Sequence, residues 1–404
     1  MKQTTDECYK KYILLIIFPL FGIILTAIKH PNQMSAFAIP PVNDTVTSTT
    51  FRYQDGFQKT LRKYTGFSSM YLDDFSTAIP GLEYTMIDDI VCGQMVPQGL
   101  CIAGKYMLIT AYDNTRKFLK DTGTRASYRE NCSVVYVLSN EDPANRELLT
   151  TIVLPDVNHV GGIAFDGKYA WIAKSTSKKC SALEYSTIET AVASGQENYK
   201  LSEYAANVDC GATASFLTFD NGRLWVGTYQ NLLSGKGSLK SYQVVSNEDG
   251  VKLKLEDEYV IPSFANGVNF MEIDGRKCMT VVSSLGRYVN SKVHLYEIIE
   301  DKITGRNLFQ YYGEYTFPPM AEEVASDGSN LYFLFESSAT CYSTISLRKC
   351  SYVVDRVCAV SAESLFFWLD EDNAGRRNSQ TDVYSYNYIR DCAYIHDKRL
   401  LSAA

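Results

Sequence analysis

Side chains able to carry chemistry are sparse in this sequence and scattered along it. Only four histidines occur, His30, His159, His294 and His396, which excludes a histidine-rich metal site. There is no H-E-x-x-H pair and no G-x-S-x-G turn, so neither a zinc-protease helix nor the strained serine of an α/β-hydrolase is on offer. Residues 99–106, GLCIAGKY, approach a phosphate-binding loop, but Tyr106 stands where a Ser or Thr hydroxyl must hold Mg²⁺. Residues 370–375, DEDNAG, open like a calcium loop, yet Ala374 takes the fifth position and Thr381 the twelfth, where a bidentate Glu is needed. A solvated acidic loop is the expectation there.

Eleven cysteines are spread from Cys8 to Cys392 with no C-x-x-C among them, which removes zinc-ribbon and thioredoxin readings. Cys341 and Cys350 are close enough in sequence to be a candidate disulfide across a hairpin. Small buried hydrophobes are the alternative for all of them.

What must position any site is a repeat. A short apolar strand, a turn with Gly and a second strand rich in aromatic and β-branched residues recur at QGLCIAGKYMLITAYD (from Gln98), GGIAFDGKYAWIAKS (from Gly161), SFLTFDNGRLWVGTY (from Ser215), NGVNFMEIDGRKCMTVVSS (from Asn266) and EEVASDGSNLYFLFES (from Glu322). The turn glycines Gly104, Gly167, Gly222, Gly275 and Gly328 are 63, 55, 53 and 53 residues apart. Four of the turns are Asp-Gly or Asn-Gly, the pair that supplies φ > 0 at both central positions of a tight hairpin. A third alternating strand follows, as in SVVYVLS (133–139), GSLKSYQVV (237–245) and SKVHLYEII (291–299). A fourth ends at Pro155, Pro262 or Pro318. A lone sheet of this kind leaves a face bare, so the sheets must stack, and radial stacking of four-stranded sheets makes a propeller. The fold expected is all-β, a β-propeller of five blades or alternatively six, preceded by an N-terminal hydrophobic helix. The second copy departs from the pattern, with a helix-like insertion around residues 187–193. The stretch LEYTMIDDI (82–90) alternates as a closing strand would, and DVYSYNYIRDCAYIH (382–396) as an extra edge strand.

In a propeller the loops entering each innermost strand and leaving the second strand open on one face, around the central channel. Aligning the repeats puts Gln98, His159, Thr213, Asn266 and Glu322 with Glu323 at the entering positions. Asp113, Lys174, Tyr229, Arg287 and Glu336 fall at the leaving positions. Such convergent polar groups in a concave site are the default ligand-binding candidates. His159, Asn266 and Glu322 are together a candidate set for a divalent cation. Lys174 and Arg287, with Tyr112 and Tyr229 stacking, are instead candidates to bind an anionic group.

The hairpin GGIAFDGKYAWIA resembles the blades of secreted β-propellers of the NHL-like and gluconolactonase or strictosidine-synthase-like kinds, over most of residues 97–370. The resemblance implies fold before chemistry. In gluconolactonase-like propellers it also implies a channel metal that polarises an ester or lactone carbonyl. This sequence offers a carboxylate and an Asn at such positions, but not the full set of acidic and Asn ligands those enzymes use. The function expected is a binding module using its channel face, with a metal-assisted esterase or lactonase as the alternative. Its partners would be a saccharide, a peptide or a cell-surface ligand.

Composition fits this frame. Of 404 residues, 46% are hydrophobic and 21% charged, which is globular. The net charge of −7 without a basic block argues against a nucleic-acid partner. The chain is expected as a monomer. Lys10 and Lys11 precede an uncharged run over residues 12–28, YILLIIFPLFGIILTAI, the layout of a signal peptide or signal anchor. Its basic flank would keep that end cytoplasmic and place the body outside. The organisation expected is a leader over 1–28, a linker over 29–50, an N-terminal segment over 51–96, the propeller over 97–370 and a tail over 371–404.

Overall fold

In the computed structural model the described residues are 47–366, apart from 89, 116–131, 232–234, 249, 304–305 and 345–348. The hydrophobic run 12–28, the acidic loop at 370–375 and the Tyr-rich stretch 382–396 lie outside them. No helix among the described residues is long and apolar enough to cross a membrane.

Each repeat folds into an antiparallel sheet, and there are five. Blade I is built from Met95–Ala103, Tyr106–Asp113, Ser133–Ser139 and Leu148–Val153. Blade II uses Val160–Phe165, Tyr169–Lys174, Lys179–Glu184 and Ala206–Asp209. Blade III uses Phe216–Asp220, Arg223–Thr228, Gly237–Asn247 and Gly250–Ile261, and blade IV uses Ala265–Ile273, Arg276–Ser283, Ser291–Glu300 and Asn307–Phe317. Blade V takes Ala321–Ser326, Asn330–Phe335 and Arg356–Ser361, and its outermost strand is the N-terminal Tyr71–Ala78. That strand pairs antiparallel with Arg356–Ser361, from Tyr71 opposite Val360 to Ala78 opposite Arg356. The ring is therefore closed by the start of the chain, and no blade is left with its sheet incomplete. The closing strand is not the 82–90 stretch its alternation suggests. Thr85–Ile87 and Ile90–Cys92 form a separate two-stranded hairpin, because residues 71–78 already fill the outer edge of blade V.

Five apolar cores lie between successive blades, and the period of two along each strand decides which core a side chain enters. Met107 and Ile109 pack with Tyr332 and Leu334 between blades V and I, whereas Leu108 packs with Ile163 and Ile172 between I and II. Leu224 and Val226 face blade II, while Trp225 turns to Phe270 and Met279 of blade IV. Met271 and Leu295 meet Val324 and Phe333 between IV and V. A second strand covered on both faces therefore reads as a nearly unbroken apolar run, as NLYFLF does (330–335). The helices Gln54–Lys63 and Thr65–Met70 add Phe57, Phe67 and Met70 to this last core.

The insertion in the second repeat is the helix Tyr185–Ala193, followed by Asn198–Lys200, which runs parallel to Leu148–Val153 and widens blade I to five strands. The hairpin turns divide into two kinds. Asn221-Gly222 and Asp274-Gly275 have φ of 48°, 73°, 50° and 73°, the two-residue turn expected. At Asp166-Gly167 and Asp327-Gly328 only the glycine has positive φ, because three residues separate the strands there. The Asp carboxylate then fastens the loop. Asp166 accepts from the amides of Lys168 and Tyr169, at 2.8 and 2.6 Å, and from the Trp171 indole N–H at 2.7 Å. Asp166→Ala strips a partner from a fully buried indole and from two amides. A loss of about 2 kcal/mol in folding free energy is expected, measured as a lower urea midpoint.

All nine described cysteines are buried, and no disulfide joins any two of them. The bridge considered between Cys341 and Cys350 is not formed. Both thiols instead pack as small apolar groups beside Val96, Met320, Ala339 and Val353.

Candidate functional site

Inner strands approach the channel axis very closely. A Cβ built on Gly99 would lie 2.6 Å from the backbone of Gly162, and one on Gly162 would lie 2.8 Å from Leu217 N and Phe216 Cα. Such contact leaves little room at that depth, where the Glu323 carboxyl lies against Gly162 and Gly267, so a larger site forms where the strands splay at their ends.

The splay is made by β-bulges. The register shifts between Pro97 and Leu100, between Val160 and Gly162, between Ala265 and Gly267, and between Ala321 and Glu323. A bulge leaves its extra residue out of the ladder and re-aims it. The residues released are Gln98, Gly161, Asn266 and Glu322, with Ser215 at the matching place just before the inner strand of blade III. All five line a cavity of about 820 Å³.

Seven of the eleven residues proposed from the repeat alignment line this cavity: Gln98, His159, Thr213, Tyr229, Asn266, Glu322 and Glu336. Tyr112 and Tyr342 join them. At blades II and III the alignment ran two residues early, and the positions matching Asn266 and Glu322 are Gly161 and Ser215. Register accounts for the others, because a one-residue slip turns a strand side chain to the opposite face. Asp113 is fully buried and accepts from Thr115 Oγ1 at 2.6 Å, and it is Asn114 that reaches the cavity. Lys174 turns away to an ion pair with Asp156 at 2.7 Å and lies over the Tyr204 ring, leaving Ser175 on the cavity wall. Arg287 sits in the 3₁₀ turn Gly286–Tyr288 with its guanidinium 4.8 Å from the Tyr342 ring centroid, and Gly286 supplies the lining. No Lys or Arg is among the lining residues, so the anion-binding role considered for Lys174 and Arg287 does not match the wall.

Within the cavity a polar chain crosses from blade II to blade V. The His159 ring stacks on Tyr112, centroids 4.5 Å apart, and its Nε2 hydrogen-bonds Gln98 Oε1. Gln98 Nε2 donates to Glu336 Oε2 at 3.1 Å, and Glu336 is hydrogen-bonded to Glu322. Two carboxyl groups in such contact disfavour the charged form of each other. Burial, and next the charge of Glu336, push the Glu322 carboxyl well above the usual carboxylate range. One residue further down the strand, Glu323 lies across the channel, with Oε1 against Gly267 and Oε2 near Gly162. It is buried, and Oε2 has no hydrogen-bond partner. Burial raises its pKa too.

The proton on Glu322 makes stability depend on pH with a definite sign. A folded-state pKa above the unfolded one means that the folded protein keeps a proton the unfolded chain has released. Stability therefore falls as pH rises from the ordinary carboxyl range, about 4.3, toward the raised value. Glu322→Gln removes this dependence, and its denaturation midpoint is expected to gain on the parent's as pH is raised from 4.5 to 7.5.

The three donors considered for a divalent cation all line the cavity but are turned to protein partners. His159 bonds Gln98, Asn266 Nδ2 donates to Ala321 O at 3.3 Å, and Glu322 bonds Glu336. Among the described residues no group of three or more His, Cys, Asp or Glu is placed to hold a metal ion. The residues present do not fit a channel metal of the gluconolactonase kind.

No family model matches the chain, and no curated protein matches it. Among solved structures it is similar to the glutaminyl cyclase of Myxococcus xanthus, at 12% identity and a TM-score of 0.35, covering 60% of this chain and 87% of that one. It is also similar to a chain of the nidogen–laminin complex, at 12% identity and a TM-score of 0.34, covering 62% and 80%. The strand pairing itself makes the chain a five-bladed β-propeller, whose bulged inner strands open a polar cavity at one end of the channel.

Proposed function

We propose that this protein is an extracytoplasmic binding propeller, exported or anchored by residues 12–28, that holds its ligand in the channel-mouth cavity. The carrying observation is that all five blades contribute a residue from the same structural position to one cavity of about 820 Å³. That volume falls in the range of small-molecule and side-chain pockets. The lining is mostly uncharged and polar, with the aromatic rings of Tyr112, Tyr229 and Tyr342. This mixture suits recognition by hydrogen bonding and ring contact. The hydrolase alternative needs a ligand set that His159, Asn266 and Glu322 do not form.

The reading is tested on peptide and glycan arrays probed with the full-length protein. Binding is expected to a restricted set of probes, and to fall about tenfold or more in Ser215→Tyr, which fills the cavity, and in Tyr229→Ala, which removes a wall. Binding that survives both substitutions unchanged would overturn the site.

A further inference from the structure

Four of the nine described cysteines stand in two close pairs. Cys180 Sγ donates to Cys210 Sγ at 3.8 Å in the core between blades II and III. Cys132 Sγ donates to Cys92 Sγ at 3.7 Å in the core between blades V and I. A disulfide holds its sulfurs about 2 Å apart, so a closure of about 2 Å joins each pair, and small χ1 rotations supply that. The backbone can follow, because one partner of each pair lies just off a strand. Cys210 comes directly after Ala206–Asp209, and Cys132 directly before Ser133–Ser139.

Both pairs sit where strand pairing is short. Ala206–Asp209 is a four-residue strand at the edge of its sheet. The chain reaches it only after the helix Tyr185–Ala193 and the strand Asn198–Lys200, which belongs to blade I. Cys92 ends a two-stranded hairpin that pairs with none of the blades. A bond from Cys180 to Cys210 spans 30 positions, and one from Cys92 to Cys132 spans 40. Loops of that length, once closed, take considerable freedom from the unfolded chain.

We propose that Cys180 with Cys210, and Cys92 with Cys132, are two disulfide sites that fasten the edge of blade II and the hairpin beside blade I. Export of the body would carry them to a compartment where disulfides persist, but the inference stands on the sulfur positions and is independent of what the cavity binds. The oxidant is another disulfide, of which glutathione disulfide is the simplest. Cys210, between the exposed Asp209 and Gly211, attacks as thiolate. The oxidant's S–S bond breaks, and one thiolate leaves. Cys180, its proton lost to solvent, then attacks Cys210 Sγ and expels the second. Two electrons and two protons leave the protein, and the oxidant departs as two thiols. Cys92 and Cys132 join by the same exchange. The first bridge would also steady the cavity wall. Cys210 Sγ donates to Ala212 O at 3.3 Å, and Thr213 and Ser215 just beyond are lining residues.

The test holds the reduced full-length protein in excess glutathione disulfide, with urea just below the unfolding midpoint so that burial does not withhold the thiols. Remaining thiols are capped, and the protein is digested with trypsin without reduction. Mass spectrometry is expected to find residues 180–200 linked to 201–223, and residues 64–105 linked through Cys92 to 130–146. Each bridge is expected to raise the melting temperature by about 5 °C. Cys180→Ala and Cys92→Ala are each expected to lose one such step. That step is read between the oxidised and reduced forms of the same variant, so any packing cost of the substitution cancels. Each bridge is judged by its own linked peptide. Capped thiols at both members of a pair, or links to other cysteines, would overturn that bridge. A bridge that forms without raising the melting temperature would overturn its role as a fastener.

Discussion

Replacing Arg356 by alanine is expected to lower the folding free energy by about 3–5 kcal/mol, the cost of stripping one partner from a buried ion pair. The Arg356 side chain is 3% exposed and that of Asp355 is 0%. Arg356 Nε donates to Asp355 Oδ1 at 3.0 Å, and the guanidinium donates to Gln54 Oε1 at 2.6 Å. It also lies over the rings of Phe51 and Phe57, at 4.1 and 3.9 Å. Asp355 in turn accepts from the Tyr53 amide at 2.6 Å. These partners lie on the N-terminal segment that closes blade V, so the substitution acts at the seam of the ring. Arg356→Lys keeps the charge but not the planar fork, and an intermediate loss is expected. Urea unfolding followed by tryptophan fluorescence reads both. A midpoint for Arg356→Ala within error of the parent's would show that the seam is held by strand pairing alone.

Gly162→Ala is expected to be nearly as costly, about 3 kcal/mol, at the upper end for an overpacked interior. The added methyl would lie 2.8 Å from Leu217 N and Phe216 Cα. Both atoms are backbone, so no rotamer change relieves the clash, and blades II and III must move apart. Gly66→Ala is the matched control. It lies in the helix Thr65–Met70 with nothing within 4 Å of the added carbon, and a neutral or slightly stabilising effect is expected. Equal midpoints for the two variants would refute the close inner packing. Gly162 also places Ile163 and Gly161 at their depths, so loss of the propeller's compactness is expected to accompany loss of ligand binding.

The two effects have different visibility in the sequence. Gly161 and Gly162 stand out as a pair at the start of a repeat, but nothing local says that a neighbouring blade's backbone runs against them. Nothing in the local sequence marks Asp355 and Arg356 as buried. Only the return of residues 51–78 to blade V buries them, and that contact joins positions about 300 residues apart.

What the sequence by itself determined is local. The regular recurrence of a Gly turn between alternating strands specified the hairpins, because turn geometry and the period of two act over a few residues. Five such units, none able to bury both faces alone, specified a ring. The same periodicity brought seven candidate residues to one cavity, since equivalent positions in a ring converge. The tertiary structure decided the rest. Bulges in the inner strands turned Gln98, Gly161, Asn266 and Glu322 into the cavity, while at the ends of the second strands Asp113 and Lys174 turn away and Asn114 and Ser175 take the wall. The raised Glu322 carboxyl follows from its burial beside Glu336, and the choice of Tyr71–Ala78 over residues 82–90 as closing strand follows from its pairing with the outer edge of blade V. In each case the deciding interaction is between segments far apart in the chain, which no local spacing encodes.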